Sequence, residues 1–183
     1  MEPHFQQKQI EDSSVILYPL KREDFQRLYA VASDPKIWEQ HPNKDRWKKE
    51  VFQIFFTGAL ESRGAYLIVN RASGEVIGSS RYYEYDALSS SIKIGYTFYA
   101  TQFWGTGTNP RVKELMLNHI FDYVSVVKFD VGANNLRSQV AISRLGAEKI
   151  SEQLVTYFGE EPKLNFTYQI IKETWKKQIS NEH

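Results

Sequence analysis

The sequence predicts a mixed α/β fold: a mostly antiparallel sheet with a central parallel pair and flanking helices. Three observations lead there. Residues 65–99 hold three β-rich runs parted by short turn signals, the pattern of an antiparallel meander. The third run leads into a glycine loop, an amphipathic helix and a further strand, and a strand–helix–strand unit of that size normally sets its two strands parallel. The chain has 183 residues, 42% of them hydrophobic, which suits a single domain spanning 1–183. Both patterns are therefore expected in one sheet.

In chain order, residues 1–12 are polar and read as a loose lead. Val15-Ile16-Leu17-Tyr18 is β-rich, and Pro19 puts it near a strand end or a sheet edge. Residues 22–32 read as a helix because Phe25, Leu28, Tyr29 and Ala32 recur at helical spacing; Asp34-Pro35 ends it. Residues 36–44 form a loop or short helix carrying Trp38 and His41. A second helix is expected over 45–61, with Trp47, Val51, Phe55 and Ala59 on one face and Asp45 as its cap. Strands follow over 65–70, 75–85 and 91–99, and in the last of these Ile92, Ile94, Tyr96 and Phe98 alternate toward one face. The helix over 111–124 presents Val112, Leu115, Met116, Ile120 and Val124 on one side, with Asn109 as N-cap and Pro110 at its first position. Residues 126–131 are a strand, and 135–145 a short helix stopped by Gly146. Two last strands, 148–157 and 164–171, flank a turn at Gly159-Glu160-Glu161-Pro162. The end of the chain is polar: 176–183 is expected to fray, with Trp175 as an anchor.

Composition excludes several classes. Net charge is +1, without the basic excess of a nucleic-acid binder. There are no cysteines, which removes disulfides, thiol nucleophiles and thiolate metal sites and fits a reducing compartment. The four histidines show no metal-ligand spacing, so no metal is expected. No apolar run approaches the ~20 residues that span a bilayer, and residues 1–12 lack a signal-peptide core. A cytoplasmic protein with no membrane or nucleic-acid partner is expected.

The chemistry begins at Gln102-Phe103-Trp104-Gly105-Thr106-Gly107-Thr108-Asn109-Pro110. Strand, glycine loop and helix N-terminus together make an anion site. Glycine lets the backbone approach a ligand, and the unpaired N–H groups of the first helical turn favour negative charge. A phosphate-hydrolysing P-loop does not fit, because the Lys-Ser/Thr ending is missing.

Gln102, Gly105 and Gly107, the Phe103-Trp104-Gly105 opening, and the preceding Ile94-Gly95-Tyr96 form a first motif. Asn135, Ser138 and Gly146 form a second, one helix and one strand later. With these motifs on these elements, the chain resembles the GNAT superfamily of acyl-CoA N-acetyltransferases over residues 15–175, and within it the RimJ/RimL-like branch. The resemblance implies a GNAT-like sheet and acetyl-CoA as the donor. It implies that Gln102, Phe103, Trp104, Gly105, Thr106, Gly107, Thr108 and Asn109 hold the coenzyme A pyrophosphate. The backbone near Tyr96 and Phe98 would lie against the thioester, and Asn135, Arg137 and Ser138 would flank the pantetheine arm.

The implied activity is acetyltransferase chemistry: acetyl transfer to an amine, a protein N-terminus or a small molecule, by direct attack in a ternary complex. Glu84, near a strand end, is the best candidate for a general base, acting through water, although a solvated strand-end carboxylate is the plainer reading of it. Ser138 is the candidate partner of the leaving thiolate, or a residue that only bonds the local backbone. Two positions depart from the family. Lys93 stands where the branch often carries Glu, and Ile142 where many members place a proton-donating Tyr. Those departures leave room for a non-catalytic acyl-CoA-binding or interaction module on the same fold. Trp38, Tyr82, Tyr83 and Glu84 fall where the family builds its acceptor site. Arg111, Lys113, Arg137 and Arg144 read as phosphate contacts or solvated charges, and His41 and His119 as surface or packing residues. The branch suggests a monomer or a homodimer.

Overall fold

The computed structural model describes residues 7–155 and 161–181. The strands are β1 (Ile10–Glu11), β2 (Val15–Pro19), β3 (Ala65–Asn70), β4 (Val76–Asp86), β5 (Ser91–Tyr99), β6 (Val126–Gly132), β7 (Glu148–Val155) and β8 (Lys163–Ile171). The helices are α1 (Phe25–Ala32), α2 (Lys49–Glu61), α3 (Thr108–Ile120), α4 (Leu136–Arg144) and α5 (Lys172–Asn181). The strands form one sheet in the order β1-β2-β3-β4-β5-β6-β8-β7. Every neighbouring pair is antiparallel except β5–β6. This is the mixed, mostly antiparallel sheet with a central parallel pair that the sequence predicts.

Both faces of the sheet are covered, so β3 reads as a continuous apolar run. Tyr66 and Ile68 join a core with Val112, Met116, Leu117 and Ile120 of α3. Leu67 and Val69 point the other way, into a core with Leu28 of α1 and Phe52 and Phe56 of α2.

Two irregularities in the meander shape the molecule. Opposite Ser80 of β4, β5 carries two residues, Tyr96 and Thr97, where regular pairing would place one, and Tyr96 takes a φ of +52°. This β-bulge resets the side-chain period. Ile92 and Ile94 therefore pack under α3, while Tyr96 and Phe98 pack on the opposite face against α2. The single face expected for these four residues is thus split in two. A second shift lies between Tyr83 and Asp86, where Glu84 has a φ of +47°. Just ahead of the first bulge the parallel pair parts. Pairing of β5 with β6 runs only from Ser91 to Lys93, and the strands then splay.

Several boundaries also differ from expectation. Ile10–Glu11 is a strand on β2, and Asp12 accepts from the Ser14 and Val15 N–H groups, so the described part of the lead is tied down. The second helix starts at Lys49, because a turn closed from Lys48 N–H to Asp45 O holds 45–48 outside it, and Asp45 pairs with Lys48 instead of capping. Trp47 is consequently half-exposed. The third helix starts at Thr108, since Gly107 supplies its N-cap with a φ of +83°; Asn109 lies inside the first turn and accepts from Tyr99 O–H at 3.1 Å. The expected fraying tail is helix α5 as far as Asn181. Tyr157 and the turn residues Gly159 and Glu160 lie outside the described residues. No helix among the described residues is long and apolar enough to cross a membrane.

Helix α5 is amphipathic only in part and depends on its anchor. Trp175 is 4% exposed, and its Nε1 donates to Asn118 Oδ1 at 2.7 Å. Trp175→Ala removes that packing and hydrogen bond together and should lower unfolding free energy by about 3–5 kcal/mol. Urea denaturation checks this; a loss below about 1 kcal/mol would show that the helix is not needed by the core.

Candidate functional site

The splay between β5 and β6 opens a cleft of about 750 Å³. Its walls are β5 from Ile94 to Tyr99, β6 from Phe129 to Gly132, the loop between β5 and α3, and α4. Ile37, His41, Pro42, Arg46 and Tyr83 close one end, under the α1–α2 connection.

At the other end lies the loop. Gly105 and Gly107 have φ of +72° and +83°, and an added Cβ at either meets nothing within 4 Å. Both glycines answer to backbone conformation, and the space beside them is open. Among the described residues, no acceptor takes the N–H of Gly105, Thr106 or Gly107, nor the first-turn N–H of Thr108 and Asn109. No side chain caps α3. Pro110 sits in the first turn, where a missing N–H costs nothing. Five aligned donors at the positive end of a helix suit a diphosphate. Trp104 anchors the loop: its Nε1 donates to Tyr99 O at 3.2 Å, and the Arg137 guanidinium stacks 3.9 Å from its ring. Gln102 is exposed and borders a different groove, so the cleft is lined from Phe103 onward.

Asn135 caps α4, its side-chain oxygen accepting from Ser138 N–H at 3.1 Å. That bond fixes the first turn of α4 and brings Ser138 and Arg137 to the cleft wall. Ile142 is buried on the same helix and offers no proton.

Behind the bulge is a polar knot in an apolar core. Lys113 of α3 is 3% exposed; its Nζ donates to Thr97 Oγ1 at 2.6 Å and Ser80 Oγ at 3.0 Å, and these two hydroxyls are 2.8 Å apart. Among the described residues it has no carboxylate partner. Burial alone pulls its pKa down to about 7. The sequence offered Lys113 as a phosphate contact or a solvated charge; it is neither solvated nor on the loop. Arg111 is the exposed one, paired with Asp12 at 2.9 Å.

The structure does not gather all of the expected acceptor residues. Trp38 is fully buried, its Nε1 donating to Ala32 O at 2.7 Å, and it packs against Phe55 and Phe98. Tyr82 is fully buried under α3, its O–H donating to Met116 O at 2.6 Å. Both are core residues, because their strand and loop register turns them from the cleft. Glu84 sits exposed at the second bulge, outside the cleft, in an ion pair with Lys93; Lys93 also binds Asp130 at 2.7 Å. Tyr83 does line the cleft, edge-on to Tyr96.

Other groups at the cleft or just behind it escaped the sequence reading. Arg46 lies in a charged run that reads as surface, yet is 8% exposed among Trp38, Phe55 and Tyr96. Arg81 is 6% exposed, with its guanidinium 3.5 Å from the centre of the Tyr96 ring and its Nε without a hydrogen-bond partner. Its one sequence signal is a charge inside a strand flanked by buried positions. His41 is held neutral, its pKa driven down to about 3 by burial and then by the Arg46 and Arg137 charges.

The family model for the acetyltransferase (GNAT) domain matches residues 14–148. No curated protein matches the sequence. Similar solved structures include a GCN5-related N-acetyltransferase from Brucella melitensis, 17% identical, covering 93% of this chain and 81% of that one with a TM-score of 0.81. A spermidine N-acetyltransferase from Vibrio cholerae, in complex with CoA and spermine, is 12% identical, with coverage of 90% and 99% and a TM-score of 0.71. Mycobacterium smegmatis RimJ, in complex with CoA-disulfide, is 14% identical, with coverage of 97% and 96% and a TM-score of 0.73. At these identities the likeness speaks for the fold.

The buried Lys113 has a measurable signature. Its folded pKa lies below its unfolded value of 10.5, so the folded state holds fewer protons between about 7 and 10.5. In that window its contribution to stability rises with pH, and the penalty is fully present below it. Lys113→Met should therefore gain on the wild type at neutral pH, and the gap should close by about 1 kcal/mol per pH unit on the alkaline side. Parallel urea titrations of both proteins across the window test this; a pH-independent gap contradicts it.

Proposed function

The chain belongs to the acetyltransferase (GNAT) domain family, and on that premise we propose that it passes the acetyl group of acetyl-CoA to an amine by direct attack, with both substrates bound together. The family match supports acetyl transfer in general. The observation that carries the rest is the row of unclaimed N–H groups from Gly105 to Asn109, opening on the splay between β5 and β6. Two structural relatives were solved with CoA or its disulfide, which supports coenzyme A as the donor here. The Phe103-Trp104-Gly105 opening and the likeness to RimJ support a place in the RimJ/RimL-like branch.

When bound, acetyl-CoA supplies an activated acyl carbon: the amine nitrogen bonds to it, the carbon–sulfur bond breaks, the thiolate leaves with the electron pair, and the proton lost by the nitrogen ends on the thiol. The protein's part is positioning and electrostatics. The loop N–H groups hold the pyrophosphate, and the helix dipole of α3 adds to their charge. The parted backbone from Tyr96 to Tyr99 receives the thioester, where an N–H free of the sheet can polarise its carbonyl. Asn135, by capping α4, places the Ser138 hydroxyl at the cleft wall as hydrogen-bond donor to the leaving sulfur.

The amine must arrive neutral. A lysine side chain costs about 4.6 kcal/mol to deprotonate at neutral pH, an α-amine only about 1. Two described carboxylates near the cleft, Glu84 and Asp130, are already engaged. Glu84 is drawn outward by Lys93, and Asp130 accepts from Lys93 and from Thr167 O–H at 2.8 Å. With both held by these partners, an acceptor whose amine is weakly basic is favoured.

Gly105→Glu adds a negative charge to the anion site at a backbone conformation that costs a side chain about 1–2 kcal/mol. Acetyl-CoA should raise the melting temperature of the wild type and leave the variant unmoved. Ser138→Ala should lower turnover about ten-fold with the KM for acetyl-CoA unchanged. Wild-type turnover in that variant would remove Ser138 from the reaction, and binding without turnover on any amine would favour a non-catalytic module.

A further inference from the structure

One buried charge has no part in the chemistry above. Lys113 reaches from α3 to the back of the β5 bulge, is 3% exposed, and still forms part of the cleft wall together with Thr97. Its Nζ lies 2.6 Å from Thr97 Oγ1 and 3.0 Å from Ser80 Oγ, and these hydroxyls are 2.8 Å apart, so the three groups close a hydrogen-bonded ring. Taking an ammonium out of water for two hydroxyls is costly, and among the described residues no carboxylate offsets that cost. Helices α3 and α4 cover this face of the sheet, where Val112 and Ile142 share one core. Lys113 therefore stands on the side from which the anion loop and Ser138 border the gap. The titratable groups on that face are the phenols of Tyr66 on β3, Tyr82 on β4 and Tyr99 on β5, each kept neutral by burial. Arg111 and Asp12 pair with each other at the exposed edge. The pKa of Lys113, drawn down to about 7, thus follows its burial and no charged neighbour.

Resting on the acetyl-transfer reading above, we propose that Thr97 and Lys113 are the acid of the reaction: as the carbon–sulfur bond breaks, the Thr97 hydroxyl gives its proton to the departing sulfur and takes one from the Lys113 ammonium. The new S–H bond uses the electron pair released from the broken bond. Lys113, left neutral, is recharged by the proton that the acceptor nitrogen sheds. Thr97 is the group that meets the sulfur, and Lys113 acts through it. A thiol ionises at ~8.5, and an acid that titrates near the operating pH is the efficient donor to such a leaving group. The other groups on this wall do not supply the proton. Ile142 has none to give, and the Arg137 guanidinium keeps its own. Among the described residues no acid hydrogen-bonds to the Ser138 hydroxyl, so Ser138 can hold the sulfur but cannot replace a proton it has lost.

The first test needs no acceptor. The full-length protein is loaded with coenzyme A or with desulfo-coenzyme A, and the difference in ultraviolet absorbance follows the bound thiolate as pH is raised. With the ammonium at hand, the bound thiol should ionise about one pH unit lower in the wild type than in Lys113→Met, while coenzyme A raises the melting temperature of both. Turnover is then followed as thiol release from acetyl-CoA with an alanyl peptide, glycinamide and spermidine. Lys113→Met and Thr97→Val should each lower kcat about 100-fold with the KM for acetyl-CoA unchanged. Thr97→Ser keeps the hydroxyl and should retain most of the activity. The protonated form of Lys113 is the active one, so the wild-type kcat should fall as pH rises through about 7, and the two slow variants should lack that fall. A bound thiol that ionises alike in the wild type and Lys113→Met, or full turnover in Thr97→Val, overturns the proposal and leaves acetyl transfer standing. Failure of coenzyme A to bind, or a shifted thiol with no thiol release from any of the three amines, overturns acetyl transfer and the acid role with it.

Discussion

The β-bulge at Tyr96 and Thr97, pinned from behind by Lys113, is the constraint on which the rest of the molecule depends. A regular β5 would continue alongside β6, and the sheet would have no opening at its centre. The bulge bends β5 away after Lys93 and frees its backbone on the side facing β6. The local strain is a positive φ at a tyrosine, which needs surrounding structure to hold it. Part of that support comes from the ammonium of Lys113, which binds the hydroxyl of bulged Thr97 and that of Ser80 opposite. A charge with only two hydroxyl partners in an apolar core is expensive. Its position joins the helix that begins at the anion loop to the strand that opens the cleft.

That junction explains why the two sequence motifs end up facing each other. The loop is fixed by Gly107 starting α3 and by Trp104 bonding to the end of β5. Helix α4 is fixed by its Asn135 cap, and Arg137 closes the gap by stacking on Trp104. Donor groups from two separate crossovers thus meet around one gap in the sheet.

The bulge also sorts the aromatic residues. Because it moves Tyr96 and Phe98 to the α2 side, their rings join Phe55 and Trp38 there and form the surroundings of Arg46 and Arg81. One backbone irregularity therefore both opens main-chain groups to the cleft and builds its charged, ring-lined end.

The sequence by itself determined the element order, the meander, the anion loop and the second motif, since each rests on local rules: apolar period, turn residues, glycine at positive φ and an Asn cap. It determined less where burial depends on distant partners. Lys113, Arg46 and Arg81 are charged residues whose neighbours in sequence look like surface or strand, and only packing against Thr97, Phe55 and Tyr96 makes them interior. Trp38 and Tyr82 were aromatic residues in the right region, but register alone turns them into the core. The alternation of Ile92, Ile94, Tyr96 and Phe98 suggested one face, because a bulge leaves no mark in a period-two pattern. Trp175 read as an anchor, but only the fold shows that it binds Asn118 of α3 and that the helix behind it runs on to Asn181. Local chemistry wrote the glycine loop and its open N–H groups; tertiary structure decided which charges were taken out of water, because desolvation is a property of the assembled core and not of any stretch of chain.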